Sequence, residues 1–325
     1  MSNNKKDVIA IGNAMVDVFI KSNLKTVNNY GLNRDSMNLI DENKKNELHK
    51  ENKIQNMVAA GSAGNTIVGI SSFGGNGTFI GKINEDEIGN YFIEDMNRAG
   101  INFPLEKSKE KISTGCCTIF VEDDGTRTMC TFLGTGSLIN ENDIKAENII
   151  NHKICYLEGY LWDNRNAKAA MKKMVDIAKK DSQKISLTLS DKFCIDRHRD
   201  SFRELIQNDI DILFANEDEI NSMFETTNIE NSLDCLKKNN LVTAITRAEK
   251  GSLVVYNQEV IEVEAEPVEK IVDTTAAGDL FAAGFLYGFA NNKPLNTCAR
   301  YGSVAASEII SHFGTRAKKK LSSLI

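Results

Sequence analysis

The sequence predicts an α/β fold: a three-layer α/β/α core around a mostly parallel sheet, with a small second β-sheet attached. Three observations carry that expectation. First, short apolar runs recur at residues 8–12, 78–80, 153–157, 185–189, 210–214 and 241–246. A run that is apolar throughout, rather than alternating, suits a strand covered on both faces. Second, helical patterns lie between these runs. Residues 86–99 carry Ile88, Phe92 and Met96 at four-residue steps, with Gly100 as a stop. Residues 166–180 gather Ala167, Ala170, Met171, Met174, Val175 and Ala178 on one face. Strands alternating with helices imply parallel pairing, and ligands of such sheets gather at the carboxyl ends of the strands. Third, residues 15–41 and 111–134 break the alternation and read as β-rich. Polar and apolar residues alternate in 116–122, and Asp123-Asp124-Gly125 is a hairpin turn before 126–129. We read both regions as one small sheet that covers the site as a lid, inserted in a single domain spanning 1–325.

Composition narrows the function classes. The chain has 325 residues, 41% apolar and 26% charged, with 3 prolines and 22 glycines. That is ordinary for a globular protein. A net charge of -6 gives no electrostatic footprint for nucleic acid. The one basic run, Lys318-Lys319-Lys320, reads as a frayed, solvated tail. Residues 1–7 lead into a short strand, not a signal segment. No apolar stretch approaches the ~18 residues of a membrane span. Seven cysteines without C-x-x-C spacing and four scattered histidines give no disulfide or metal pattern. Reduced thiols and a cytoplasmic location are therefore expected. A monomer and a homodimer both remain open, since a β-rich lid can stay single or pair edge to edge.

The most informative segment is Asp273-Thr274-Thr275-Ala276-Ala277-Gly278-Asp279, which runs into an apolar helical pattern. A tight, small-residue loop opening a helix presents unsatisfied N–H groups and the positive end of the dipole, a site for anions. A carboxylate in that first turn is placed as a base beside a bound phosphate. An Asp capping an ordinary buried helix is the plainer reading of such a segment alone. Other phosphate signatures are absent. Gly77 to Lys82 falls one residue short of a P-loop and lacks the following Ser/Thr, and Gly12 starts no G-x-G-x-x-G.

Residues 273–279 resemble the C-terminal signature of the ribokinase-like (PfkB) sugar and nucleoside kinases, D-T-x-[GA]-A-G-D. The N-terminal signature is matched by Ala60-Gly61-Ser62-Ala63-Gly64-Asn65, Gly74-Gly75 and the stretch from Gly81 to Gly89. Ala60 stands where a Gly is usual. Within the family the chain looks most like adenosine kinases, through residues 12–17, 187–193 and 209–217. Residues 156–162 are shared by bacterial adenosine and sugar kinases.

The resemblance implies an ATP- and Mg²⁺-dependent kinase acting on a primary hydroxyl of a nucleoside or sugar, adenosine first. A sugar kinase acting on ribose, fructose or a 2-keto-3-deoxy sugar acid is the alternative. A silent ligand-binding protein of the same fold is a second. Asp279 would be the general base, with the amides of Ala276, Ala277 and Gly278 holding the charge on the γ-phosphoryl group. Asn13 and Asp17, at the end of the first strand, would bind vicinal hydroxyls, and Gly61, Ser62 and Asn65 would complete that site. Gly61 also reads as a turn glycine and Asn65 as a helix cap. Asn216 and Glu219 resemble an N-x-x-E motif ordering Mg²⁺ through water, and also read as a capping box. Thr246 and Gly251 match an ATP-contacting loop in which Ala248 replaces a Gly. Asp273 and the carbonyl of Thr275 are the partners for a monovalent cation such as K⁺, if one is bound. Tyr160 and Trp162 are the aromatic candidates for stacking on a purine, a lone Trp being more often core. Arg127 in the lid reads equally as a substrate contact and as a solvated hairpin residue.

Overall fold

The computed structural model describes residues 5–104 and 107–325; the sequence reading of residues 1–4 lies outside them. Among the described residues the strands are β1 (Lys6–Ile11), β2 (Met15–Lys21), β3 (Met37–Leu39), β4 (Ile54–Ala60), β5 (Gly77–Ile80), β6 (Gly115–Val121) and β7 (Arg127–Phe132). They continue as β8 (His152–Glu158), β9 (Lys184–Thr188), β10 (Ile212–Asn216), β11 (Val242–Thr246), β12 (Ser252–Tyr256) and β13 (Glu259–Val263). Eight of them form the main sheet in the order β13-β12-β11-β10-β9-β8-β1-β5. From β5 to β11 neighbours pair in parallel, while β12 and β13 add antiparallel to one edge.

Continuous apolar strands work here because both faces are dry. Along β1, Val8 and Ala10 join one core and Ile9 and Ile11 the other, as the two-residue period requires. The first core packs under the helices Ser62–Ser72, Glu87–Arg98, Ala277–Ala290 and Leu295–Ile310. The second packs under Arg165–Lys180, Lys192–Asp209 and Glu217–Phe224. This is the expected three-layer arrangement. Helix ends follow local chemistry. Asp86 caps Glu87–Arg98 by accepting from the Gly89 N–H at 2.7 Å, and Phe92 and Met96 are fully buried. Each such side chain contributes roughly 1.5–3 kcal/mol. In Arg165–Lys180 the buried face is the six residues expected from spacing.

The second sheet has the order β3-β7-β6-β2-β4. Its β6–β7 hairpin turns at residues 122–126. Two features depart from expectation. Strand β4 belongs to this sheet, paired antiparallel with β2, although its first four residues are half-exposed or exposed and carry no apolar alternation. The stretch 15–41 also contains a helix, Leu24–Asn29, capped by Asn23. The basic run is likewise no frayed tail. The N–H groups of Lys318 and Lys319 donate to Glu308 Oε1 at 2.9 and 3.0 Å, and buried Leu321 donates its N–H to Ser72 Oγ at 3.0 Å. Only the lysine side chains are solvated. No helix among the described residues is long and apolar enough to cross a membrane.

Candidate active site

The Ala277–Ala290 helix packs against β1, β8 and β10 of the main sheet. Asp273 begins the turn into that helix: its Oδ1 accepts the Thr275 N–H at 3.0 Å. Ala276 then adopts a left-handed conformation, φ 64° and ψ 8°, which reverses the chain before the first helical turn. The Ala277 N–H donates to the Thr274 carbonyl at 3.2 Å and the Leu280 N–H to Ala276 at 2.9 Å. The amides of Gly278 and Asp279 carry no backbone bond among the described residues, and a Cβ built on Gly278 meets nothing within 4 Å. The helix thus starts with open donors beside open space.

Asp279 is held from both sides. Ser62 Oγ donates to its Oδ1 at 2.6 Å and Asn65 Nδ2 to its Oδ2 at 2.9 Å. Asn65 is therefore no helix cap. Burial pushes the Asp279 carboxyl up from its ordinary value, while the bonds from Ser62 and Asn65 and the nearby Arg316 charge pull it down. Each carboxylate oxygen keeps a lone pair for a further donor.

Asn13 is fixed by Glu158, whose Oε1 accepts both the Asn13 N–H at 3.1 Å and its Nδ2 at 2.7 Å. The other oxygen accepts the Ala63 N–H at 2.9 Å, at the start of the Ser62–Ser72 helix. Desolvation pushes Glu158 up to about 7. Gly61, with φ 92°, lies against this junction: a Cβ there would meet the Asn13 carbonyl at 2.1 Å. Only glycine fits that close approach. Asp17 is 8% exposed, and its carboxylate accepts no hydrogen bond among the described residues. Desolvation pushes it up to about 7, against the charges of Arg316 and Arg127. A buried carboxylate without a donor is costly and points to a ligand that supplies one.

Asp273 meets the second sheet. Arg127 of β7 places Nη1 2.6 Å from Asp273 Oδ1 and lies over the Phe313 ring at 4.8 Å. Gly314 donates its N–H to Oδ2 at 3.2 Å. Arg127 is thus neither solvated nor free. The Asp273 carboxylate already holds a guanidinium, and a second cation there would be repelled, so this side chain does not fit a monovalent cation in this arrangement.

On the expected nucleotide side, Asn216 and Glu219 form a full capping box. Glu219 donates its N–H to Asn216 Oδ1 at 2.8 Å, and its carboxylate accepts Asn216 N–H and Nδ2 at 3.0 and 2.7 Å. Desolvation pushes Glu219 up to about 7. This buried carboxylate has no cationic partner among the described residues, and that fits a role toward Mg²⁺ through water. No group of three or more His, Cys, Asp or Glu among the described residues would hold a metal directly. Thr246 stands beside Asn216 in the β10–β11 register. Gly251, with φ 78°, turns the chain where a Cβ would meet the Val263 carbonyl at 2.1 Å; that packing accounts for the glycine without a ligand.

Trp162 is corrected by the structure. It is 2% exposed, stacks on Phe202 with ring centroids 5.5 Å apart, and donates Nε1–H to Ser201 Oγ at 3.0 Å. The ring is buried against Phe202 and its polar edge is bonded within the core, so it is not available to a purine. Tyr160 is 40% exposed, with its hydroxyl donating to the Ser190 carbonyl at 3.2 Å.

The pattern described as pfkB family carbohydrate kinase matches residues 29–321. The chain belongs to the pfkB family. It is 35% identical to a solved adenosine kinase from Sinorhizobium meliloti, covering 98% of each chain with a TM-score of 0.90. It is 34% identical to a solved probable sugar kinase from Rhizobium etli, covering 98% of this chain and 97% of that one, also with a TM-score of 0.90. An uncharacterised sugar kinase from Archaeoglobus fulgidus is 26% identical over 77% of this chain and 97% of its own.

Three features of this pfkB-family site were not read from the sequence. Glu158 closes a strand as an isolated acid with no motif spacing to mark it. Arg316 follows the family's last signature and reaches Asn65 and Asp95 across more than 200 residues. Phe19, Val58 and Phe313 wall a hollow of about 420 Å³. Phe19 is two residues past Asp17 and Val58 pairs with Asp17, so Phe19 and Val58 share its sheet face, and Phe313 closes the hollow from the loop after the last long helix. The alternation in β2 was the one available signal for that face.

Proposed function

We propose that this pfkB-family kinase transfers the γ-phosphoryl group of ATP to the 5′-hydroxyl of a ribonucleoside, adenosine being the preferred acceptor. The observation that carries the reading is the pairing of two buried carboxylates. Asp279 is oriented by Ser62 and Asn65 at a helix start with open amides, and Asp17 stands near it without a donor. Asp17 and Asn13 take the vicinal ribose hydroxyls. Asp279 accepts the proton of the 5′-hydroxyl as that oxygen bonds to phosphorus and the bond to the ADP oxygen breaks. The amides of Gly278, Asp279 and the preceding turn stabilise the charge on the transferring group. Mg²⁺ bound with the nucleotide would supply charge neutralisation, and Glu219 is the residue that would hold it through water.

The hollow on the sheet face of Asp17 supports a nucleoside over a simple sugar. About 420 Å³, lined by Phe19, Val58 and Phe313 together with the polar Gln55, Asn56 and Glu122, has room for a planar base. A free sugar would leave it empty. The second sheet supplies Asp17 and Arg127, and its closure over the acceptor would exclude water.

A panel of adenosine, other nucleosides, ribose, fructose and a 2-keto-3-deoxy sugar acid, assayed with ATP and Mg²⁺, tests the reading. Adenosine should show the highest kcat/KM by at least about tenfold. Faster turnover of a sugar would transfer the assignment to the sugar kinases. Thermal stabilisation by adenosine without ADP release would make the chain a binding protein.

A further inference from the structure

We propose that Arg316 is a positioning residue for Asp279, acting through the side-chain amide of Asn65; the inference rests on the kinase reading of Asp279. The geometry is a chain of contacts. Asp95, on the Glu87–Arg98 helix, accepts Arg316 Nε at Oδ2, 3.0 Å away, with Nη2 also 3.0 Å from that oxygen. Arg316 Nη1 donates to Asn65 Oδ1 at 2.7 Å. Asn65 Nδ2 donates to Asp279 Oδ2 at 2.9 Å.

An amide has two ends, and which one faces a carboxylate decides attraction or repulsion. A guanidinium has donors only. By binding Oδ1 it forces the –NH₂ end of Asn65 toward Asp279. Without it the amide is free to turn its oxygen to the carboxylate. Arg316 is itself anchored by its neighbours: Thr315 Oγ1 donates to the Ala59 carbonyl at 3.2 Å, and Gly314 donates to Asp273. The segment 314–316 therefore ties the base to β4, to the turn before the helix and to the Glu87–Arg98 helix.

The charge of Arg316 matters for the same reason. Asp279 faces Ser62, Asn65 and Thr66 on its own side. The charged groups coupled to it are Glu158 of β8, Asp17 of β2 and Arg316, while Asp273 of the turn and Arg127 of β7 act on Asp17. Tyr156 and Tyr160 also lie within its field. Two carboxylates thus crowd a base that must be ionised, and Arg316 is the cation that opposes them at Asp279. The partner of Arg127 is Asp273.

The test compares wild type, Arg316→Gln and Arg316→Lys by two readouts. One is the ¹³C titration of the Asp279 carboxyl in the unliganded protein, assigned with Asp279→Asn. The other is kcat against pH on whichever acceptor the wild type turns over fastest. Arg316→Gln should raise the Asp279 midpoint by about one unit, a tenfold loss of ionised base on the acid limb. That limb should move to higher pH with the acceptor KM within about threefold. Arg316→Lys should shift it less, because one ammonium keeps the charge without bridging both partners. If Arg316→Gln fails to fold, Arg316→Lys carries the comparison alone. An unmoved Asp279 midpoint in the folded variants overturns the proposal, as does a loss confined to KM. The titration needs no acceptor, so failure of the adenosine assignment in the substrate panel does not alter what the titration shows about Arg316.

Discussion

Replacing Asp17 by Asn should stabilise the unliganded protein at pH 8 while damaging acceptor binding. In the folded chain the Asp17 carboxyl titrates near 7, against 3.8 for an ordinary aspartate. Desolvation is the first cause, partly opposed by Arg316 and Arg127. The folded state therefore holds this proton more tightly than the unfolded state. Stability supplied by the protonated form is complete below pH ~4, and it is lost as pH rises through the window from about 4 to 7. Three units correspond to ~4 kcal/mol as a ceiling at about 1.36 kcal/mol per unit. Relaxation of the site and water entry reduce this to about 2 kcal/mol. Asn keeps the shape and lacks the charge, so it escapes the loss. With unfolding entropy of about 2.1 cal/mol/K per residue over 325 residues, the gain is about 3 °C in Tm at pH 8. No difference is expected near pH 4. The assay is thermal unfolding of both proteins across pH 4–8, with acceptor KM measured at pH 8. KM should rise roughly 10–100-fold, since hydrogen bonds to a charged group are each worth about 1.5–3 kcal/mol. A Tm difference of the same size at pH 4 and pH 8, or a destabilised variant at both, would refute the reasoning.

Two further outcomes follow from single residues. Trp162→Phe should cost roughly 1–3 kcal/mol of stability, because the indole packs on Phe202 and bonds Ser201, yet leave acceptor KM within about twofold; a tenfold rise in KM would return Trp162 to the substrate. Ala276→Gly should raise Tm by about 1 °C without loss of kcat, because a left-handed alanine costs about 1–2 kcal/mol and glycine's extra chain entropy offsets roughly half of that; a lower Tm would show that the Ala276 methyl, partly buried beside Phe73 and Tyr287, contributes more by packing.

What the sequence made legible was local or periodic. The main-sheet strands stand out because a sheet dry on both faces demands apolar residues at every position, as in Val8 to Ile11. The face of Arg165–Lys180 stands out because its six buried residues follow the helical period. Asp279 and its turn were visible as a contiguous segment. Long-range geometry was not. Glu158 serves Asn13 and Ala63 from a different strand, and Arg316 reaches Asn65 from the far end of the chain. Neither spacing nor composition records such a contact. Strand β4 escaped because its outer residues are polar and exposed, so pairing with β2 defines it, not burial. Trp162 misled for the opposite reason. It lies two residues past Tyr160, and only the packing shows that it turns inward while Tyr160 stays at the surface.

The central claim is tested most directly with Asp279→Asn, by measuring kcat and the acceptor dissociation constant on the same preparation. The account predicts a fall in kcat of about 10²–10⁴-fold, the range for a positioned base, with acceptor affinity changed by less than about fivefold. Turnover at the wild-type rate, with the variant folded and the acceptor bound, would contradict it.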